Sequence, residues 1–475
     1  MNTPPLPCLR LKSFRQFGSE QTAENNWDQL MPLSAPPAKD GLKKALRLIA
    51  PRVSTLLARD GMNFPKLRLP VSLASARAQA KESEAPLRLE DVLSIPVPAT
   101  NAEDEAADAA IAQGQFLARQ ERWDDVEARI IAADTAREAT PGGTPIADFI
   151  AYGARADVIN AVEHALSEGL SPSERVTLDG IMSLERMRLE CERTPVMSTL
   201  VALAHLDIAW ACRRISKRKA NRQRATLVSR SEAHQNRAKA LLLQIPAQAA
   251  AKPFVAAARC ALYSADRSAD LRQIADDYID LIRLDPGNPR HLRALGTHLV
   301  EQGAEGLVAL ELEARRVASL VQDHWGAAGY TWVYFDALAQ SDSACQGVDV
   351  AFFLDGVADI VARAPSQERI NLMSAYCSIA LRSQAETPAE VAQIRAQIAE
   401  AAHWLIRNHL RELHPMIWAH ASTGFDNDTQ VRSVQQFAER GRMDALRAIA
   451  DLFRDDIEAG YRVVFTDTGP EVTAG

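Results

Sequence analysis

Three groups of side chains in this 475-residue chain have the types to bind a partner or hold a metal. The first is a run of cations: Arg213, Arg214, Lys217, Arg218, Lys219, Arg222, Arg224 and Arg230, with no Asp or Glu from Ile208 to Ser231. A segment this positive can engage an acidic protein surface, nucleic acid or anionic lipid, or it can stand as a solvated tip. No aromatic residue is interleaved within it, which weakens base stacking as a mode of binding. The second group is His324-Trp325 followed by Tyr330, Trp332, Tyr334 and Phe335, a concentration of rings in a chain with only 6% aromatics. These rings can form a shelf for a peptide or aromatic ligand, or they can pack a helical hairpin. The third is His403, His409, His414 and His420. Metal-binding helices place ligands three or four residues apart, whereas these gaps are six, five and six and Pro415 interrupts, so no metal site is assigned.

Asp276-Asp277-Tyr278-Ile279-Asp280 resembles the DDxxD signature of terpene-type synthases, and that resemblance implies magnesium-diphosphate binding on a helical fold. The spacing places Asp276 or Asp277 with Asp280 on one helix face. Tyr278 and Leu281 point the other way, however, and no second acidic motif follows at a suitable distance, so a solvated face is the expectation. There is no Gly-rich phosphate loop, G-x-S-x-G elbow or H-E-x-x-H. No catalytic residue and no cofactor is assigned.

The elements that would position these groups are read from Ile282 to Gly303. Leu284-Asp285-Pro286-Gly287-Asn288 ends one helix, because Pro286 has no N–H to donate and clashes with the preceding turn. Leu292, Leu295 and Leu299 recur at helical spacing, Gly296 leaves room for a close neighbour, and Gly303 closes the helix. Leu292, Leu295-Gly296, Leu299 and Gly303 resemble the first helix of a tetratricopeptide repeat, with Tyr278, Leu281 and Pro286 ending the preceding unit. The resemblance implies a second helix with Val308, Leu312 and Arg315 facing inward. Two further stretches are similar: Ala110 to Ala133, with Glu121 in place of the turn Gly, and Phe437 to Phe453 around Gly441. All of these are packing positions, so the resemblance implies a fold and no chemistry.

Length allows two to four domains or one extended solenoid, and 47% hydrophobic residues suffice for a large core. A formal charge of −7 and a pI near 5.9 argue against nucleic acid as the general partner. The six cysteines form no C-x-x-C pair and are scattered, as free thiols in a reducing cytoplasm would be. The N-terminus lacks the apolar core of a signal peptide, and the apolar run from Val196 to Cys212 contains His205 and Asp207. It reads as a buried helix, and no transmembrane segment is expected.

Residues 1–102 hold 12 of the 24 prolines and read as a Pro-rich, partly disordered region. One amphipathic helix is expected there, over about 41–60, with Pro51 splitting or kinking it. From 103 to 460 the chain reads as helix after helix. The expected spans are 103–119, 122–136, 146–168 (broken near Gly153), 172–192, 196–222, 226–244, 252–264, 268–284, 289–302, 305–321, 325–340, 348–363, 366–383, 388–412, 429–440 and 442–459. Residues 461–475 form a tail, with a short strand over Tyr461 to Phe465.

The fold expected is therefore all-α, a TPR-like α-α solenoid in which each hairpin buries its apolar face on the next. The function expected is a cytoplasmic adaptor or scaffold that holds a protein or peptide in the concave face. The alternatives are a nucleic-acid-linked regulator using 213–230 and an all-helical enzyme.

Overall fold

The computed structural model describes residues 88–474 apart from 172–174, 265–268, 383–385, 426–430 and 432. The helix expected over 41–60, Cys8 and residues 172–174 lie outside the described residues. The first half runs α1 (Leu89–Val92), β1 (Leu93–Ser94), α2 (Ala102–Arg119), α3 (Trp123–Ala136), α4 (Ile146–Ser167), α5 (Arg175–Glu190), α6 (Pro195–Ser216), α7 (Asn221–Leu243), α8 (Ala247–Ala250) and α9 (Pro253–Ala261). Next come α10 (Leu271–Leu284), α11 (Pro289–Glu301), α12 (Ala304–Leu320), α13 (Gln322–Trp325), α14 (Ala328–Gln340), α15 (Asp342–Cys345) and α16 (Val350–Arg363). The chain ends with α17 (Gln367–Ala375), α18 (Ala389–Ala399), α19 (Ala401–Asn408), α20 (Pro415–Ala421), α21 (Val434–Leu452), α22 (Arg454–Glu458), β2 (Tyr461–Thr466) and β3 (Gly469–Ala474).

Local chemistry starts these helices. The side chains of Asn101, Thr194, Asp270, Asn288, Asp349, Ser366 and Ser433 each accept from a backbone N–H of the first turn that follows. Pro195 and Pro289 sit in first turns, where the missing donor costs nothing. Burial then pairs the helices: α2 with α4, α6 with α7, α11 with α14, and α20 with α21. The apolar side chains form two clusters. One runs from Ala110 to Ala258, and the other holds Cys260 to Phe465 together with Leu93. Leu93 belongs there because β1 pairs in parallel with β2, at Leu93–Val463 and Ser94–Val464. β2 pairs antiparallel with β3, so the expected tail is a hairpin on a three-stranded sheet. The Leu413 amide donates to the Pro96 carbonyl (2.8 Å), and Arg442 pairs with Glu90 (3.0 Å). The segment 88–97, expected to belong to the Pro-rich region, thus packs beside the last helices.

Several expectations are corrected. On α12 it is Leu310, Ala314 and Val317 that are buried, while Val308 and Leu312 are 82% and 68% exposed and Arg315 pairs with Glu311 and Asp349. α4 runs unbroken through Gly153: Gly153 packs on the Ile111 carbonyl and Gly114 on the Ile150 carbonyl, so both glycines serve helix contact rather than chain termination. Gly441 likewise lies inside α21, against Pro415 and Ala419, so the span 437–453 holds no hairpin turn. The span expected as one helix over 388–412 is two, divided at Glu400, and α20 was not foreseen.

Two hairpins do form where the repeat pattern puts them. α2 and α3 turn through Glu121, which takes φ 55°, and α11 and α12 turn through Gly303, at φ 71°. Leu292, Leu295, Leu299 and Tyr278 are all buried. Trp325 Nε1 donates to the Pro286 carbonyl (3.0 Å) and pins the junction. The helix that approaches Gly296 is α14, not its own hairpin partner α12.

Candidate functional site

The basic segment is the tip of the α6–α7 hairpin. The two helices are joined by residues 217–220 and tied below by the Ser231 hydroxyl donating to the Ala209 carbonyl (2.9 Å). On α6, Trp210, Arg213 and Arg214 are three and four residues apart and so share one face, and Lys217 caps the helix beyond them. The Arg213 guanidinium lies over the Trp210 ring, 5.8 Å from its centre, and Trp210 is 37% exposed. Arg214 is engaged by Glu163 at 2.6 Å. Arg218, Lys219, Arg222 and Arg224 have no acidic side chain within ion-pair distance among the described residues. Arg222 and Arg224 also occupy the start of α7, whose first turn holds no acid and whose N-cap, Ala220, makes no side-chain cap. Cations there oppose the helix dipole, so the local energetics work against them.

α6 is long and apolar enough to cross a membrane by composition, yet 72% of that window is buried inside the fold. His205 and Asp207, within its apolar run, both have partners. Asp207 accepts from Arg155 (2.6 Å), and His205 joins a network spread over three helices. Glu185 on α5 accepts from Arg188 (3.1 Å), from Arg237 on α7 (2.6 and 3.0 Å) and from His205 Nε2 (3.1 Å). His205 Nδ1 lies 2.8 Å from His234 Nδ1, and both rings are buried. Burial opposes ionisation of Glu185, but the bonds from His205 and Arg237 outweigh it and hold the carboxyl below its usual range. Burial pushes both histidines down, His234 furthest. Sequence reasoning singled out His205 within the apolar run. Nothing in the sequence pointed to Glu185 or His234, which are 20 and 29 residues away on other helices.

The aromatic cluster packs a core. Trp325, Tyr330 and Trp332 are all but fully buried, and the exposed member is His324. The hydroxyls of Tyr330 and Tyr334 donate to one Glu311 oxygen (2.5 and 3.0 Å), and Trp325 meets Trp332 edge-on. No ring shelf faces solvent here. The four histidines diverge as well. His414 is buried between Glu368 (2.9 Å) and Glu412 (3.0 Å), His409 lies against Trp404, and His420 lies against Phe437. No metal-binding cluster exists among the described residues. The aspartates of the DDxxD segment are used singly: Asp276 pairs with Arg316, Asp277 accepts from the Tyr263 hydroxyl, and Asp280 pairs with Arg283. A cleft of about 150 Å³ lies beside the Pro286 junction, lined by Asp134, Arg137, Asp148, Phe254, Asp285 and His291. Arg137 spans it to the Leu284 carbonyl.

Comparison of the chain with protein-family models, with curated proteins and with solved structures finds no match.

Proposed function

We propose that this chain is a cytoplasmic interaction protein, an adaptor or scaffold built from TPR-like helical hairpins, that docks an acidic protein segment at the α6–α7 tip. The single observation behind this reading is the charge of Arg218, Lys219, Arg222 and Arg224, which no acidic side chain among the described residues compensates; Arg222 and Arg224 also stand at a helix start, where their charge lowers stability. Complementary fields of this kind steer encounter and set orientation more than they add affinity. The TPR-like construction is supported by the α11–α12 hairpin, by buried Leu292, Leu295 and Leu299, and by close packing at Gly296. Trp210 beside Arg213 favours a second reading, in which the tip grips single-stranded nucleic acid by stacking and phosphate contact.

The test is fluorescence anisotropy on the full chain, with a polyglutamate peptide and a single-stranded RNA of equal charge, across a salt series. Binding of the peptide that weakens with salt, and is lost when Lys217, Arg218 and Lys219 are all changed to Ser, supports docking of an acidic partner. Preferential RNA binding that is lost in Trp210→Ala turns the assignment to nucleic acid. Failure to bind either anion at low salt, or binding that ignores the triple change, overturns the proposal.

A further inference from the structure

The order of proton donors in the buried network can be deduced from its geometry. Glu185 is ionised and acceptor-only, since it receives two arginines. His205 Nε2 must therefore carry a proton and donate to it. A neutral His205 then has a bare Nδ1, and the hydrogen at the 2.8 Å contact belongs to His234 Nδ1. The direction is His234 to His205 to Glu185. One added proton can be accommodated: His205 donates from both nitrogens and His234 shifts to its other tautomer. A second cannot, because two Nδ1–H groups would then face each other at hydrogen-bond distance between two buried rings.

We infer that Glu185, His205 and His234 form an acid-release latch, which closes the α6–α7 hairpin onto α5 at neutral pH and opens when the pair is forced to take two protons. The latch sits on both arms of the hairpin that carries the basic tip. Glu185 grips one arm through His205 and the other through Arg237. Among the described residues, the charged groups that act on the imidazoles include Glu185 and Arg188 from α5, and Arg230 and Arg237 from α7. On neighbouring elements, Arg155 of α4 is held by Asp207, and Arg259 of α9 donates to the Leu242 and Ile245 carbonyls. Arg188, Arg230 and Arg237 oppose added charge on the two rings, and Glu185 favours it at His205. The open hairpin exposes two ordinary histidines, so its population rises by about tenfold per pH unit for each extra proton it binds, beginning below roughly pH 6.5. The latch operates whether or not the tip engages a partner.

Hydrogen exchange by mass spectrometry tests this on the full chain from pH 7.5 to 5.0, corrected for intrinsic rates. Peptides of α5, α6 and α7 are expected to lose protection about ten- to a hundredfold per pH unit below 6.5, while α14 and α16 do not. His234→Asn keeps a donor to His205 and removes one titrating ring, so its pH slope is expected to fall by at least one proton. Because that variant can misfold, ring ¹⁵N shifts of histidine-labelled wild type supply a second readout of the two tautomers. Equal acid sensitivity of α5–α7 and α14–α16, a wild-type slope in a folded His234→Asn, or two doubly protonated rings in a protected hairpin each overturn the latch.

Discussion

The carbonyl oxygen of Val333 occupies the place where a Cβ on residue 296 would be, so Gly296 joins α11 to α14 backbone against backbone. Gly296→Ala must push the two helices apart within a core that includes Leu295, Leu299 and Val333. The expected loss is roughly 1–3 kcal/mol, as for other overpacked cores. Gly287 is the internal control: nothing lies near its Cβ position, so Gly287→Ala is expected within about 0.5 kcal/mol of the parent. Urea midpoints of the two variants, at unchanged m, check this.

Arg222 and Arg224 stand at the wrong end of α7 for its dipole. Changing both to Glu is expected to raise stability by about 0.3–1 kcal/mol while reversing the charge of the tip. A variant that melts later yet no longer binds the anionic peptide separates docking from folding. Thermal melts and anisotropy on the same sample report both quantities.

The parts legible in the sequence were those determined by near neighbours. The starts expected at 196 and 289 fall within one residue of those of α6 and α11, and the absence of acids from 208 to 231 marked the tip. Glycine was the ambiguous letter. Gly303 ends a helix with positive φ, whereas Gly153, Gly296 and Gly441 sit inside helices and admit a neighbour. Only the partner helix distinguishes the two uses. The inward face of α12 was misread for a related reason: Val308 and Leu312 keep the same four-residue step as Leu310 and Ala314, and tertiary packing selects between the two stripes. The latch was not legible, because its three residues come from three helices and meet only on folding.

His414 gives the second core the opposite pH response to the latch. Burial disfavours its charge, but hydrogen bonds from the ring to Glu368 and Glu412 prevail and raise it above the ordinary histidine value. A raised value means the folded state holds the proton more tightly than the unfolded chain. The stabilisation is complete below about pH 6.5 and is lost as pH rises through the raised value. For His205 and His234 the values are lowered, so their contribution is complete above about pH 6.5 and is lost as pH falls. Urea stability against pH is therefore expected to decline on both sides of a maximum. His414→Gln is expected to flatten the alkaline side and leave the acid side unchanged.

Cys212, Cys260, Cys345 and Cys377 are buried thiols, and Cys191 is partly exposed. Burial pushes Cys212 up to about 11 and Cys377 up to about 12, so neither carries useful thiolate at neutral pH. Iodoacetamide at pH 7.5 is expected to label Cys191 ahead of these four in the native protein, and all six cysteines of the chain once urea is added. Peptide mapping of the labelled sites reads the order directly.

Two acids show how much surroundings decide the worth of a carboxylate. Asp280, part of the DDxxD segment, pairs with Arg283 in a side chain 72% exposed, where water competes for both charges. Glu185 is 12% exposed and holds Arg188, Arg237 and His205 together. Glu185→Gln keeps the volume and removes the charge, which strands two arginines that have little access to water. Loss of one member of a buried ion pair costs about 3–5 kcal/mol, whereas an exposed pair is worth about 0–1 kcal/mol. Glu185→Gln is therefore expected to lower the urea midpoint strongly and Asp280→Asn hardly at all, both at pH 7.5. A Glu185→Gln protein as stable as Asp280→Asn would mean that the network does not bear on the closure of α5, α6 and α7.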